Sequence, residues 1–394
     1  MLAYTFYECD NRVRRYAEAL VKRGDEVDAI VLRREGQLSF EVIRGVNVYR
    51  ILKRVRDEGS PFSYLRKLLL FFLRSAWVLT FRHLRARYDV IHVHSVPDFQ
   101  VFATIIPRLM GARVILDIHD IIPEFYASKF KVNKRSLAFR LLLLIEKLSV
   151  SYSDQVIISN HLWHKRLTER SVQPEKCTTI INYPDLSIFS RPSRTVATNG
   201  DFIMCYPGTL NWHQGVDLAI SAMALLRDKA PNLKFLIVGD GPDREKLKTL
   251  VRQLHLEDHV VMAGVIPIEQ VAETMATVDL GVVPKRKDSF GNEAFSTKIM
   301  EFMAMGVPVL ASKTSIDQYY FNERLVQFFE SGNIEDLAAK ILDMMHDSAK
   351  CSALRAAGMN FIQQNNWDVK KYEYLDLVDR LVRRGKRVML QRPG

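Results

Sequence analysis

GNEAFSTKIMEFMAMG fills residues 291–306, and the fold is decided by how it is read. Ile299, Met300, Phe302 and Met303 recur with helical spacing. Ser296 suits an N-cap, with Thr297 and Lys298 in the first turn. Gly306 suits the left-handed residue after a last turn, and Pro308 forbids continuation. The spacing predicts a short helix over 297–305. VDLGVV (278–283) before it and VPVL (307–310) after it read as buried strands. Strand, loop, helix and strand form one βαβ unit. Its loop opens at the carboxyl end of a parallel strand, where such sheets bind ligands.

The chemistry of that loop admits two readings. Free N–H groups at the helix start attract anions, and Lys298 adds a full positive charge there. Glu293 in the loop and Glu301 one turn into the helix would then hold hydroxyl groups. The alternative is a solvated loop carboxylate and a helix-surface Glu–Lys pair.

Seven residues, AFSTKIM, separate Glu293 from Glu301, and FMAMGVPVLAS follows. This resembles the E-x7-E signature of the retaining nucleotide-sugar glycosyltransferases of family four. The resemblance covers nearly the whole chain and implies a GT-B fold: two Rossmann-like, doubly wound α/β domains facing across a cleft. It implies an N-terminal acceptor domain over 1–190 and a nucleotide-sugar domain over 191–365. A C-terminal helix and basic tail, 366–394, would cross back to the first domain.

Composition is ordinary for a globular chain with ample core. The chain has 394 residues, 48% hydrophobic and 26% charged, which suggests two or three domains. Its four cysteines are scattered without a C-x-x-C pair, as in a reduced cytoplasmic protein. No signal-peptide pattern opens the sequence, and no run of 18 apolar residues suggests a spanning helix. The expected location is the cytoplasm, with membrane association on its inner face. Net charge is +11 and lopsided: residues 1–190 carry 30 Lys and Arg against 20 Asp and Glu, the remainder 26 against 25. A basic first half implies anionic company, such as lipid headgroups or a lipid diphosphate. No zinc-finger or RNA-binding signature accompanies it, so nucleic acid ranks low.

In chain order, MLAYTFY (1–7) reads as a strand, 11–22 as an amphipathic helix ended by Gly24, and VDAIVL (27–32) as the next strand. Family members usually have a few apolar residues before the point where this chain starts, which implies a trimmed start or a late initiation codon. The loop Glu8–Cys9–Asp10–Asn11 after the first strand, followed by Arg12 and Arg15, is a candidate anion or acceptor site; surface charge on a helix is the alternative. SYLRKLLLFFLRSAWVLTFRHLRAR (63–87) carries Arg66, Lys67, Arg74 and three further arginines, with no acid. Its composition is that of a helix lying in a membrane interface, against which stands a core helix with a solvated basic edge. About 1 kcal/mol per basic residue near anionic lipid would suffice for peripheral binding.

VIHVH (90–94) and RVILDI (113–118) read as strands. His92 and His94 have the spacing of a metal pair, but no further ligands with metal spacing follow, so no metal site is expected. His119 falls at a strand's carboxyl end, and the resemblance places it against the donor sugar from across the cleft. RLLLLIEKLSV (140–150) reads as a buried helix, and TTIIN (178–182) as the last strand of the domain.

In the second half, DFIMCY (201–206) leads into a tight loop with Gly208 and Thr209. The family commonly has G-R-x4-K-G here, the Arg and Lys clamping the diphosphate. This chain has Thr209 and Gln214 in those places; Lys298, Lys285, Arg286 and a protonated His213 are candidate replacements. Gly241, in the turn after FLIV (235–238), lies in register with the family, and the backbone at Val265 and Ile266 should meet the nucleotide base. Phe295, Ser296, Lys298 and Glu301 complete the expected donor site.

The resemblance implies retaining, metal-independent transfer from a UDP- or GDP-sugar to a glycan or lipid-linked acceptor in cell-surface polysaccharide synthesis. No cofactor is expected beyond the nucleotide-sugar cosubstrate. Glu293 would bind the sugar hydroxyls and Glu301 the ribose. The rivals are a nucleotide-sugar epimerase of the same fold and a catalytically weakened, membrane-docked partner protein.

Overall fold

The computed structural model describes residues 1–54, 61–130, 133, 135–190 and 200–390. They form two compact units, Met1–Asn182 with Lys371–Gly394, and Tyr183–Lys370. The divisions fall at 182 and 370 rather than at the expected 190 and 365.

The first unit runs β1 (Leu2–Ala3), α1 (Asn11–Arg23), β2 (Asp28–Arg33), β3 (Phe40–Ile43), β4 (Val46–Lys53), α2 (Pro61–Arg85) and β5 (Val90–His94). A 3-10 segment (Asp98–Thr104) and α3 (Ile105–Leu109) follow. Then come β6 (Arg113–Ile118), α4 (Ile122–Phe130), α5 (Leu137–Tyr152), β7 (Gln155–Ile158), α6 (His161–Arg170) and β8 (Cys177–Thr179). The sheet order is β3-β4-β2-β1-β5-β6-β7-β8, parallel except for the β3–β4 hairpin. Strand order reverses between β1 and β5.

The expected strand over 1–7 is two residues long. Thr5 still accepts a bond from Leu32 N–H (2.9 Å) before the chain coils into a 3-10 turn. α1 matches its pattern: Asp10 caps its start and Gly24, at φ 103°, ends it. The helix expected to be buried over 140–150 is α5, and its Leu137, Leu141, Leu144 and Leu148 are exposed.

The second unit runs β9 (Phe202–Pro207), α7 (Val216–Leu226), β10 (Leu233–Val238), α8 (Arg244–Gln253), β11 (Val260–Gly264) and α9 (Ile268–Thr277). It continues with β12 (Leu280–Val283), α10 (Thr297–Ala304), β13 (Val309–Ser312), α11 (Ser315–Tyr320), β14 (Gln327–Phe329), α12 (Ile334–His346) and α13 (Ser348–Gln364). Its all-parallel order, β11-β10-β9-β12-β13-β14, reverses between β9 and β12. Ile299, Met300, Phe302 and Met303 of α10 are all buried, as their spacing requires. Gly281 on β12 lets Phe302 lie flat on the sheet, since a Cβ there would meet the ring at 2.4 Å.

α14 (Trp367–Leu390) starts in the second unit and continues into the first. Its Tyr374 hydroxyl lies 3.0 Å from His92 Nδ1, and its Asp379 pairs with Arg23 at 2.9 Å. The last residues of the expected basic tail, 391 and 392, lie outside the described residues, as do Arg191 and Pro192 of the linker.

Candidate functional site

The switch point of the second sheet gathers three loops at the carboxyl ends of β9, β10 and β12, the position where doubly wound sheets take ligands. Glycines let these loops interlock. A Cβ on Gly208 (φ 144°) would meet Lys298 Cε at 2.4 Å, and one on Gly239 would meet the Gly208 carbonyl at 1.9 Å. A Cβ on Gly241 would strike the Leu210 carbonyl at 2.2 Å. Gly241, expected at the donor, thus accommodates the neighbouring loop's backbone. Gly215 (φ 65°) does the same for the Pro284 carbonyl, 1.9 Å from its would-be Cβ.

Lys298 sits at the centre of this arrangement. Its Nζ lies 3.2 Å from Gln214 Oε1 and 5.2 Å from the centre of the Tyr206 ring. The Tyr206 hydroxyl is 3.0 Å from both Gln214 Oε1 and the Thr209 carbonyl. Desolvation lowers the Lys298 ammonium to about 8, against the opposing pull of Glu301. The N–H groups of Thr297 and Lys298 precede the first intrahelical bond, which Ile299 makes weakly to the Ser296 carbonyl at 3.4 Å. Ser296 holds the N-cap position, but its side chain makes no capping bond. Its buried hydroxyl has no partner among the described residues.

Around this centre, Thr209 is exposed and Val265 is 65% exposed past the end of β11. Glu293 is half-buried in the loop, its N–H bonded to the Phe290 carbonyl at 3.0 Å. Glu301 is half-buried on α10. The Phe295 ring stacks away on α11, with centroids 4.9 Å from Tyr320 and 6.1 Å from Phe321.

Two of the replacement cations expected from sequence are engaged elsewhere. Lys285 is buried, pairs with Asp317 at 2.9 Å and donates to the Ala294 carbonyl at 2.7 Å. It pins the loop before α10 instead of facing a ligand. Arg286 forks onto Asp217 (2.8 and 2.5 Å) and covers the Trp212 ring. His213 packs its ring on Phe290 at 5.6 Å.

The first unit holds a separate cluster at the end of β6. Arg12 and Arg15, expected as an anion or acceptor site, are buried structural groups. Arg12 binds Asp117 through two N–H···O contacts (2.8 and 2.7 Å), the Ile180 carbonyl (2.9 Å) and Asn182 (2.8 Å). Arg15 also bonds Asn182, and burial lowers its guanidinium to about 10. Burial opposes the Asp117 charge, but Arg12 and the neighbouring histidines hold its carboxyl well below the usual range.

His94 Nδ1 and His119 Nε2 lie 3.1 and 3.2 Å from Asp117 Oδ2, and 3.2 Å from each other. His92 stacks on His94 at 4.1 Å. Burial pushes His92 down to about 4 and His94 well below its ordinary value, so both are neutral. The donor atoms of His92, His94 and Asp117 fall within 4.8 Å of one another. Rejecting a metal there on sequence spacing missed Asp117, which arrives from the adjacent strand. A cation would have to displace Arg12 from that carboxylate.

Of the α2 bases singled out from sequence, Arg66 and Arg74 are exposed and Lys67 is half-buried. Arg74 also donates to the Ile51 carbonyl at 3.0 Å.

Two family descriptions match the chain: "Glycosyl transferase 4-like domain" over residues 9–182 and "Glycosyl transferases group 1" over 191–361. One curated relative is the Escherichia coli K12 glycosyltransferase WcaL, named for colanic acid biosynthesis. It is 30% identical over 161 residues, 40% of this chain and 39% of its own length. The chain therefore spans well under half of that relative. Among solved structures, the sucrose-phosphate synthase of Thermosynechococcus elongatus superposes with TM-score 0.78 at 20% identity, covering 96% of this chain and 98% of its own. Anabaena HepE, in complex with UDP and glucose, superposes with TM-score 0.72 at 16% identity, covering 96% and 98%. These likenesses establish the GT-B fold for both units.

Proposed function

Since the chain belongs to the group 1 glycosyl transferases, we propose that it transfers a sugar from a nucleotide sugar to a glycan or lipid-linked acceptor, with retained anomeric configuration and without a bound metal. The observation that carries this reading is the meeting of Lys298 with the open start of α10 at the switch point of the second sheet. A diphosphate there meets unbonded amides, the Ser296 hydroxyl and a cation held in place by Gln214. As the bond to the sugar breaks, negative charge builds on the leaving diphosphate. These donors are set before the reaction, which is the condition for strong electrostatic stabilisation.

Glu293 takes the sugar hydroxyls, Glu301 the ribose, and the backbone at Val265 the base. UDP-sugars are the first donors to try, since a structural neighbour is described with UDP and glucose. The acceptor reading rests on the basic first unit and on WcaL's printed link to a cell-surface polysaccharide. Peripheral contact with anionic membrane through α2 would bring the enzyme to such an acceptor on the cytoplasmic face.

A panel of UDP- and GDP-sugars, read by thermal shift and then by slow donor hydrolysis, tests the proposal. One donor should bind and turn over in the presence of EDTA, and Glu293→Ala should abolish turnover. His119→Ala separately tests the role that the resemblance gives that residue. Interconversion of the free donor with its epimer would favour the epimerase. Binding and turnover of none would favour a non-catalytic partner.

A further inference from the structure

The helices on one face of the first sheet carry apolar side chains that nothing covers among the described residues. From β4 to β5 and on to β6, β7 and β8 the chain steps in one direction across the sheet. Parallel crossovers are right-handed, so α2, α3 and α5 lie on the same face, opposite α1. Side-chain contacts join them: Phe72 of α2 meets Phe99 of the 3-10 segment, Phe102 of that segment meets Tyr152 of α5, and Arg108 of α3 covers Tyr152.

On α2, Leu65, Leu69, Leu73, Trp77, Phe81 and Leu84 are exposed, Trp77 by 63%. At 100° per residue they fall within an arc of about 160°. Leu68, Phe71 and Leu79, off this arc, are buried and hold the helix to the sheet. On α5, Leu137, Leu141, Leu144 and Leu148 form a narrower stripe of about 60°, with Leu137 83% exposed. Ile105, Ile106 and Leu109 extend the surface on α3. So large a set of exposed apolar groups on one face marks a binding surface.

The charges say what it binds. Lys67, Arg74 and Arg85 border the α2 stripe and Arg66 lies within it, Arg108 lies on α3, and Arg140 and Lys147 border the α5 stripe. Residues 61–87 and α3 contain no acid. The one acid of α5, Glu146, is buried on its opposite side and paired with Arg170. Among the described residues no helix is long and apolar enough to cross a membrane. Apolar side chains on helices whose exposed charges are basic fit the headgroup boundary of an anionic bilayer.

We propose that α2, α3 and α5 together form a three-helix face that lies in the surface of an anionic membrane, with the α5 leucines inserted alongside Trp77. This rests on the membrane reading of α2 and assigns α3 and α5 to the same plane.

The test is flotation of the full chain with phosphatidylglycerol/phosphatidylcholine vesicles, with Trp77 quenching by brominated acyl chains as a measure of depth. Wild type should float, with Trp77 blue-shifted and quenched. Leu141→Glu/Leu144→Glu should lower partitioning at least tenfold while leaving UDP-sugar binding and the melting temperature unchanged. In Trp77→Phe/Leu144→Trp, the new indole should be quenched to a similar depth. If wild type fails to float, both this face and the α2 reading fall. If α2 variants abolish flotation while the α5 pair floats normally with Leu144→Trp unquenched, α2 stands and the three-helix face is overturned. Self-association that buries Trp77 without vesicle binding would also overturn it, in favour of a second copy of the chain.

Discussion

Lys298 Nζ stands 3.2 Å from Gln214 Oε1, so the residue that replaces the family's clamping lysine holds another lysine in position. Gln214 contributes no charge of its own. Its carbonyl is shared with the Tyr206 hydroxyl at 3.0 Å, which fixes where the ammonium points. On the proposed reading, the departure from the family pattern at Thr209 and Gln214 leaves the cationic role of this loop to Lys298 of the facing helix.

Lys298→Met should weaken nucleotide diphosphate binding by about 2 kcal/mol, roughly thirtyfold in Kd. Calorimetry with UDP and GDP checks this. The charged form is needed, and desolvation lowers the group to about 8. Affinity in wild type should therefore fall as pH rises from 7 to 9, and the variant should show no such fall. A bound diphosphate favours the ammonium, so the fall should set in near 8 and level off only at the higher value of the complex.

Gly208→Ala should damage stability and binding together. The position combines φ 144° with a would-be Cβ 2.4 Å from Lys298 Cε. Strain of about 1–3 kcal/mol is expected, with Lys298 displaced. Gly36→Ala also has a positive φ but meets nothing within 4 Å, and should cost only the backbone term. Urea midpoints paired with UDP titrations distinguish the two.

Arg12→Met should cost about 3–5 kcal/mol, because it strands a buried carboxylate. Adding Asp117→Asn should recover much of the loss. A solvated anion-binding arginine would instead cost under about 0.5 kcal/mol. Chemical denaturation of the two single variants and the double variant decides between these.

Asp98 is buried after β5, and burial, with Glu146 nearby, pushes its carboxyl up to about 7. The folded state favours the protonated acid. Its contribution is complete below the ordinary carboxylate range and is lost as pH rises through about 7. The melting temperature of wild type should fall between pH 6 and pH 8, and Asp98→Asn should flatten that slope.

Much of the second unit was legible in the sequence. The apolar spacing of α10, the turn at Gly306 and the strands on either side depend on neighbours a few residues apart, and they appear where the pattern puts them. The apolar run of α5 was misread because periodicity reports which residues are apolar, and not whether anything covers them. Leu141 and Leu144 are apolar in a helix and yet face outward. The β3–β4 hairpin passed unread; β4 pairs with β2, and β3 forms the sheet edge.

By itself, the sequence determined the βαβ alternation, the switch-point loop with Glu293, Lys298 and Glu301, and the excess of bases in the first half. Only the tertiary structure decided how each charge is used. It buried Arg12 against Asp117, 105 residues away, tied Lys285 to Asp317, and left Lys298 beside Gln214. The reason is physical: helix period and turn chemistry act within a few residues. A buried ion pair exists only where distant strands become neighbours and exclude water from both partners.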